Sequence, residues 1–176
     1  MGLGACLADD MGLGKTVELL AFLSVKTRPK TTSLLVVPAS LIANWRREID
    51  KFSPELTYYI AHPGSMSPSH QAELSTDDVS RYDLVITTYA MVQRYSWLQT
   101  FHWDYVILDE AQVIKNPATQ QTRAVKKLHA AQRILLTGTP VENRLSDLWS
   151  LFDFLNPGLL GNLQEFKTFT RTLHSD

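Results

Sequence analysis

The chain has 176 residues, of which 44% are hydrophobic and 20% are charged, as in ordinary globular domains. Its formal net charge of −1 gives no overall basic field, so nucleic acid would have to bind through local patches. No apolar run approaches the roughly 20 residues of a membrane span, and the N-terminus does not resemble a secretion signal. The single cysteine, Cys6, excludes an internal disulfide and is expected to be a buried, reduced thiol. We therefore expect one intracellular domain with no membrane partner.

Short apolar runs alternate with helical patterns along almost the whole chain. The apolar runs predict six strands, over residues 5–8, 33–37, 56–60, 84–87, 105–108 and 134–136. Apolar residues at helical spacing predict helices over residues 16–24, 40–52, 71–74, 89–97, 119–129 and 145–155, and a further one from Leu163 through Phe169. Residues 61–81 are rich in Ser, Pro, His and Asp, which indicates an excursion over the surface.

The spacing within these helices also predicts which side chains face the core. Ser40 is expected to cap the helix over residues 40–52. The side chains expected to point inward are Val17, Leu20 and Leu23 or Ala21 in the first helix, Leu41, Trp45, Ile49 and Phe52 in the second, and Val125 and Leu128 in the helix over 119–129. The side chains expected to face solvent on the second helix are Arg46, Arg47, Glu48 and Lys51.

Strands that are apolar on both faces and alternate with helices predict an α/β fold, in which a mainly parallel sheet lies between helices. Ligands of such sheets bind beyond the carboxyl ends of the strands. The polar segments that directly follow predicted strands are residues 9–16, Thr87 and Thr88, Asp109 and Glu110, and residues 137–139. We expect these segments to meet at one edge of the sheet.

Residues 7–16, LADDMGLGKT, have the order of parts that a phosphate site needs. A strand leads into a glycine-rich turn, and Lys15 and Thr16 stand at the head of a helix, where backbone N–H groups and a lysine can hold an anion. The threonine hydroxyl would be placed to bind a magnesium ion that bridges the phosphates. The match to the general pattern is incomplete, because Asp9 stands where it asks for glycine. An ordinary glycine-rich turn before a core helix is the alternative.

Asp109 and Glu110 end a strongly apolar strand. The first acid would reach the magnesium held by Thr16, and the second would orient and deprotonate the attacking water. Two acids at a strand end also occur as solvated loop residues or helix caps. Their combination with GLGKT on another strand of the same sheet favours the catalytic interpretation.

Five segments together resemble the Swi/Snf family of superfamily-two DNA translocases, in the order and spacing of that family. They are ADDMGLGKT, LLVVPASLIANWRREIDKF, ITTYAM, DEAQVIKNP and LLTGTPVENRLSDLWSLFDFLNP, which extend from about Gly4 to Gly161. The family has an aspartate at the position of Asp9, so that departure from the general pattern fits it. The resemblance implies a RecA-like P-loop NTPase lobe with three layers, over residues 1–161, followed by the start of a linker or inter-lobe segment over 162–176.

The resemblance also implies roles for individual residues, with ATP and Mg²⁺ as cofactors. Glu110 would be the catalytic base, and Gln112, at a position where most members have histidine, would couple the nucleotide state to the inter-lobe face. The residues that would bind the nucleotide are Asp9, Met11, Gly12, Leu13, Gly14, Lys15 and Thr16. The residues that would hold the magnesium are Thr16 and Asp109, and those that would relay the nucleotide state are Thr137, Gly138 and Thr139. A simple chain-reversing turn is the alternative for the last three.

The family resemblance implies contacts to double-stranded DNA through the phosphate backbone, which carry no sequence information. The residues implied are Pro38, Ala39, Ser40, Thr87, Thr88, Tyr89, Lys115 and Asn116. Arg46, Arg47 and Lys51 are interpreted as a solvated helix face, and Trp45 and Trp149 as packing residues. A zinc site is not predicted, because His62, His70, His102, His129 and Cys6 lack ligand spacing.

The family motor has a second RecA-like lobe that supplies arginines to the transferred phosphate, and nothing in this sequence resembles it. We therefore expect one part of a motor, from an engineered fragment or a truncated reading frame, with little hydrolysis on its own. The family implies a cytoplasmic, nucleoid-associated protein in a bacterium and a nuclear one in a eukaryote. Two alternatives stay open: a non-catalytic fragment that binds nucleotide or DNA weakly, and an RNA-directed helicase lobe.

Overall fold

Six parallel strands form one sheet in the computed structural model, which describes residues 4–8, 14–25, 31–65, 74–138 and 145–173. The strands are β1 (Ala5–Leu7), β2 (Ser33–Val37), β3 (Tyr58–Ala61), β4 (Leu84–Thr88), β5 (His102–Leu108) and β6 (His129–Leu136). Their order across the sheet is β1-β6-β5-β2-β4-β3, and every adjacent pair is parallel. All six therefore end at the same edge.

Helices connect these strands, as parallel pairing requires. They are α1 (Lys15–Ser24), α2 (Ile42–Phe52), α3 (Thr76–Val79), α4 (Tyr89–Arg94), α5 (Ser96–Thr100), α6 (Gln120–Lys126), α7 (Leu145–Leu155) and α8 (Leu163–Leu173). Short 3-10 turns cover Ala39–Leu41 before α2 and Ala111–Ile114 after β5. Within the described part of the chain, no helix has the length and apolar character needed to cross a bilayer.

Two hydrophobic clusters pack against opposite faces of the sheet, because successive strand residues alternate between faces. Leu34 and Val36 belong to the cluster formed with α4, α5, α6 and α7. Leu35 and Val37, on the same strand, belong to the cluster formed with α1 and α2. The whole of β2 is consequently buried, and the molecule has three layers: helices, sheet, helices. The predicted α/β architecture with a parallel sheet is confirmed.

The predicted positions of all six strands are confirmed, but their lengths differ. The last two begin earlier than predicted, since β5 starts at His102 and β6 at His129. The helix expected over 119–129 is shorter, because α6 ends at Lys126 and Thr119 is its N-cap. The helix expected over 89–97 is two helices, α4 and α5, separated by Tyr95 in an extended conformation. Of the helix expected over 71–74, residues 71–73 lie outside the described residues, and a helical turn follows at Thr76–Val79.

Four predictions about single side chains are wrong. Ser40 caps no helix, because it lies inside the 3-10 turn whose N-cap is Pro38. Phe52 is 46% exposed at the end of α2, whereas Trp45 and Ile49 are buried as predicted. Val17 is also exposed, and the buried side chains of α1 are Leu19, Leu20 and Leu23. Cys6 is exposed rather than buried, because β1 is an edge strand.

Candidate functional site

The start of α1 places Lys15 and Thr16 at the carboxyl edge of the sheet. Gly14 precedes the helix with φ of 89°, a left-handed conformation that glycine adopts without a Cβ penalty. The first N–H groups of a helix have no acceptor within the helix, so this end of α1 suits an anion. Asp9, Met11, Gly12 and Leu13 lie outside the described residues, and their predicted roles stay predictions.

The two acids after β5 have different environments. Asp109 accepts hydrogen bonds at both carboxylate oxygens: Oδ1 from the Glu110 backbone N–H at 2.9 Å, and Oδ2 from the Trp45 indole N–H at 2.7 Å. Glu110 has φ of 51°, the left-handed region that a residue with a side chain rarely adopts. Such strain is commonly found where a site fixes the direction of a side chain. Asp109 is therefore held rigidly, and Glu110 follows it in a strained backbone.

Burial raises the pKa of Asp109 above its ordinary value of 3.8, and the nearby charge of Glu110 raises it further. The Trp45 and Glu110 hydrogen bonds and the positive charge of Lys15 lower it in part. Burial removes part of the hydration that stabilises a charged carboxylate. A cation that binds beside it compensates for this loss, because its opposite charge favours the ionised form. The electrostatics of Asp109 thus suit a metal ligand better than a surface acid.

A cavity of about 650 Å³ joins these groups, and this volume is in the range of small-molecule sites. Lys15, Thr16, Asp109 and Glu110 all line it, so the predicted meeting of the two segments is observed. This donor set fits Mg²⁺ with a nucleotide triphosphate. Magnesium in such sites takes one or two carboxylates and a hydroxyl from the protein and completes its shell with phosphates and water.

One face of α2 also lines this cavity, which the sequence interpretation missed. Arg47 and Lys51, predicted to belong to a solvated helix surface, line the cavity together with Asn44, Glu48 and Phe52. The signal was present in the sequence, because positions 44, 47, 48 and 51 fall on one helical face. What the sequence could not give was the direction of that face, which depends on the packing of α2 against α1. The site therefore carries additional positive charge.

A chain of side-chain hydrogen bonds leads away from Glu110 across the sheet edge. The Gln112 amide donates to the Glu110 carboxylate, and the Thr137 hydroxyl donates to the Gln112 carbonyl oxygen at 3.2 Å. Thr137 directly follows β6 and is buried, and its backbone N–H donates to Leu7 of β1. The structure thus brings together three residues with predicted base and coupling roles. Gly138 follows Thr137 in the chain, and Thr139 is outside the described residues.

The residues predicted to contact DNA divide into two groups. Ala39, Ser40, Lys115 and Asn116 are exposed, and Pro38 is partly exposed. Thr87, Thr88 and Tyr89 are buried at the end of β4 and the start of α4. Their oxygens are engaged within the protein: the Thr87 hydroxyl donates to Ala61, and the Thr88 hydroxyl caps α4 by accepting from Met91. A DNA contact in this second group would have to use the backbone, and it stays a prediction.

Tyr89 connects the second of these segments to the acids. Its hydroxyl donates to the backbone carbonyl oxygen of Asp109 at 2.7 Å. Burial raises the pKa of Tyr89 well above its ordinary value, and the carboxylates of Asp109 and Glu110 raise it further, so the phenol keeps its proton. Asp109 is therefore held through its side chain by α2 and through its backbone by α4.

A second cavity, of about 630 Å³, lies at the opposite edge of the sheet, among the amino ends of β5 and β6. Its polar lining includes His102, Asp104 and Arg133. Asp104 already accepts from Thr31, and Arg133 donates to the backbone of Phe154 and Leu128. Its charged groups are thus largely used by the protein itself, and the cavity at the carboxyl edge is the better candidate site.

Comparison with known proteins identifies the family of this chain. A family model described as the SNF2-related domain matches residues 1–175. The protein named "Putative ATP-dependent helicase/translocase YwqA" of Bacillus subtilis is 45% identical over 172 residues, which are 94% of this chain and 18% of that protein. The human DNA excision repair protein ERCC-6-like is 42% identical over 173 residues, 93% of this chain and 14% of that protein. The chain thus spans less than a fifth of the length of these relatives.

A solved structure gives the same result for the fold. The SWI2/SNF2 ATPase core of Sulfolobus solfataricus in complex with double-stranded DNA superimposes with a TM-score of 0.86 at 44% identity. The match covers 99% of this chain and 36% of that one. At this identity the likeness extends beyond the fold to the sequence of the lobe itself.

Proposed function

This chain belongs to the SNF2-related domain family of helicase-like ATPases, and on that premise we propose that it is the ATP-binding lobe of a double-stranded DNA translocase. The observation that carries the proposal is the cavity at the carboxyl edge, which Lys15, Thr16, Asp109 and Glu110 line together. Movement along DNA would require a second RecA-like lobe, and this chain spans only part of its relatives' length.

In the proposed reaction, the start of α1 and Lys15 bind the phosphates of ATP, while Thr16 and Asp109 hold the magnesium. The magnesium held by Thr16 and Asp109 would supply positive charge against the negative charge that develops on the phosphates. Arg47 and Lys51 line the same cavity and add positive charge on the α2 side. The protein's part is therefore binding and orientation, which dominate catalysis of phosphoryl transfer.

Glu110 would orient the attacking water and take its proton. Its carboxylate borders the cavity and accepts from the Gln112 amide, which fixes its direction. The hydrogen-bond chain through Gln112 to Thr137 gives a route by which a change at the γ-phosphate would reach the loop after β6. Glutamine is uncharged over the whole working pH range, so Gln112 itself adds no titratable group to this link.

DNA is proposed as the partner because the relatives named above include a DNA excision repair protein and an ATPase core in complex with double-stranded DNA. The exposed residues Ala39, Ser40, Lys115 and Asn116 are the candidates for phosphate contacts. Such contacts would track the backbone without reading bases.

A binding titration with labelled duplex DNA at increasing salt tests this partner. We expect affinity to fall with salt, and Lys115→Ala to weaken binding and to lower the salt slope by about one relative to the unchanged chain. The control is Lys167→Ala, which removes an exposed lysine from α8. Equal competition by duplex RNA would favour an RNA-directed lobe, and no binding at low salt would contradict the DNA proposal.

A further inference from the structure

Trp45 donates a short hydrogen bond to the Asp109 side chain, although its sequence position suggests only a packing role. It lies near the start of α2, is 1% exposed and belongs to the cluster between the sheet and helices α1 and α2. Its indole N–H nevertheless donates to Oδ2 of Asp109 at 2.7 Å. A buried indole N–H usually finds a partner, but the partner here is an acid that lines the cavity at the carboxyl edge of the sheet.

The geometry leaves little freedom to the Asp109 carboxylate. Its other oxygen, Oδ1, accepts from the Glu110 backbone N–H at 2.9 Å, and its backbone carbonyl accepts from Tyr89. A carboxylate oxygen has two lone pairs, so each oxygen keeps one for a ligand in the cavity. Because the Trp45 ring is buried in the core, its N–H has a fixed direction, and the carboxylate plane is fixed with it.

We propose that Trp45 is a positioning residue for the metal site: its indole N–H holds the Asp109 carboxylate in the orientation that binds Mg²⁺ on the nucleotide. The inference rests on the proposed function, since it requires that the cavity binds Mg·ATP. A group that fixes the orientation of a metal ligand through a hydrogen bond commonly contributes about 10- to 100-fold to metal affinity.

Trp45→Phe tests the inference, because phenylalanine fills most of the indole volume and lacks the N–H. The matched control is Trp103→Phe. Trp103 is likewise 1% exposed, and its indole donates to a backbone carbonyl, that of Leu98, at 2.9 Å. It lies near the start of β5, at the other end of the strand from Asp109. Both variants lose one buried indole hydrogen bond, but only one of these bonds reaches the metal site.

The measurement is the ATP dissociation constant of the whole chain by calorimetry, with saturating Mg²⁺ and with EDTA. The dissociation constant in EDTA divided by the dissociation constant with Mg²⁺ reports the contribution of the metal to ATP affinity. We expect Trp45→Phe to reduce this ratio by about tenfold while leaving affinity in EDTA unchanged, and Trp103→Phe to leave the ratio unchanged. Thermal unfolding of both variants monitors folding separately. In an Asp109→Asn background, Trp45→Phe should have no further effect on the ratio.

The outcomes are distinguishable. If the unchanged chain binds Mg·ATP and Trp45→Phe keeps its Mg²⁺ ratio, the positioning role is overturned while the proposed function stands. If Trp45→Phe weakens affinity equally with and without Mg²⁺, Trp45 acts by packing alone and the inference is again overturned. If the unchanged chain and Lys15→Ala both fail to bind ATP, the proposed function fails and the inference fails with it.

Discussion

The indole nitrogen of Trp45 lies 2.7 Å from Oδ2 of Asp109, and this bond ties α2 to the loop after β5. The strands before these two segments, β2 and β5, are neighbours in the sheet. The Asp109 backbone N–H also donates to Val36 of β2 at 2.9 Å. The acid of the candidate metal site is thus fixed by the central strand and by the helix that follows it. Its position is a consequence of the core and not of a mobile loop.

Replacing Asp109 by asparagine should remove a pH-dependent loss of stability of the folded chain in the absence of metal. Burial raises the pKa of Asp109 in the folded state, so the folded state binds the proton more tightly than the unfolded state does. The contribution of this group to stability is therefore fully present at pH below the unfolded value near 3.8 and is lost as pH rises through the folded pKa. Asparagine removes the charge, but its single oxygen can accept from only one of the two donors, Trp45 or the Glu110 N–H, and its NH2 faces the other, which adds a cost that does not depend on pH. We therefore expect the Tm of the variant, relative to the unchanged chain, to rise as the pH rises from acid to neutral.

Thermal unfolding in EDTA as a function of pH measures this effect. The Tm of Asp109→Asn relative to the unchanged chain should be lowest in acid, where the aspartate is protonated, and should rise towards neutral pH. The control is Asp77→Asn on α3, where the side chain is exposed and should change Tm little at any pH. A Tm difference between Asp109→Asn and the unchanged chain that stays the same from acid to neutral pH would contradict the assignment of Asp109 as a destabilising, functional charge.

Replacing Tyr89 by phenylalanine should destabilise the chain, because it leaves the partly buried Asp109 carbonyl without its donor. The expected loss is about 1–2 kcal/mol in the free energy of unfolding. Tyr95→Phe is the matched comparison. Tyr95 is also 4% exposed, but no described group pairs with its buried hydroxyl, so its removal should be neutral or stabilising. Urea unfolding of both variants measures the difference, and equal losses would show that the Tyr89 bond contributes nothing.

The left-handed conformation of Glu110 should carry a measurable cost. Glu110→Gly should raise the free energy of unfolding by about 1 kcal/mol, because glycine adopts φ of 51° without strain. The reverse change at Gly158, which has φ of 80° and open space where a Cβ would stand, should lower it by a similar amount. Urea unfolding of Glu110→Gly and Gly158→Ala compares the two. A destabilised Glu110→Gly variant would mean that the backbone at this position is not strained.

The fold was predictable because its signals are local. Runs such as Ser33–Val37 are apolar on both faces, and the end of α7 at Leu155 was predicted, since a proline–glycine stop follows its apolar pattern. Element boundaries at β5 and β6 were less predictable, because His102 and His129 join strands through pairing with each other and not through hydrophobicity.

The candidate site residues that directly follow a strand, such as Asp109 and Glu110, were also predictable, because the segments after parallel strands lie at one edge of the sheet. The contacts made across the sheet were not. The bond from Trp45 to Asp109 spans 64 positions, and the bond from Tyr89 to Asp109 spans 20. A tryptophan at core spacing looks the same in sequence whether its N–H meets a carbonyl, as in Trp103, or an acid of the candidate site. Only the packing of α2 on the sheet distinguishes them.

Calorimetric titration of the chain with Mg·ATP tests the central claim most directly. We expect the unchanged chain and Lys167→Ala to bind one equivalent, and Lys15→Ala to lose at least about 1.4 kcal/mol of binding free energy, which is about tenfold in affinity. The loss follows because Lys15 lines the same cavity as Asp109 and would supply a positive charge to the phosphates. Equal heats from the unchanged chain and Lys15→Ala would contradict the assignment of the carboxyl-edge cavity as an ATP site.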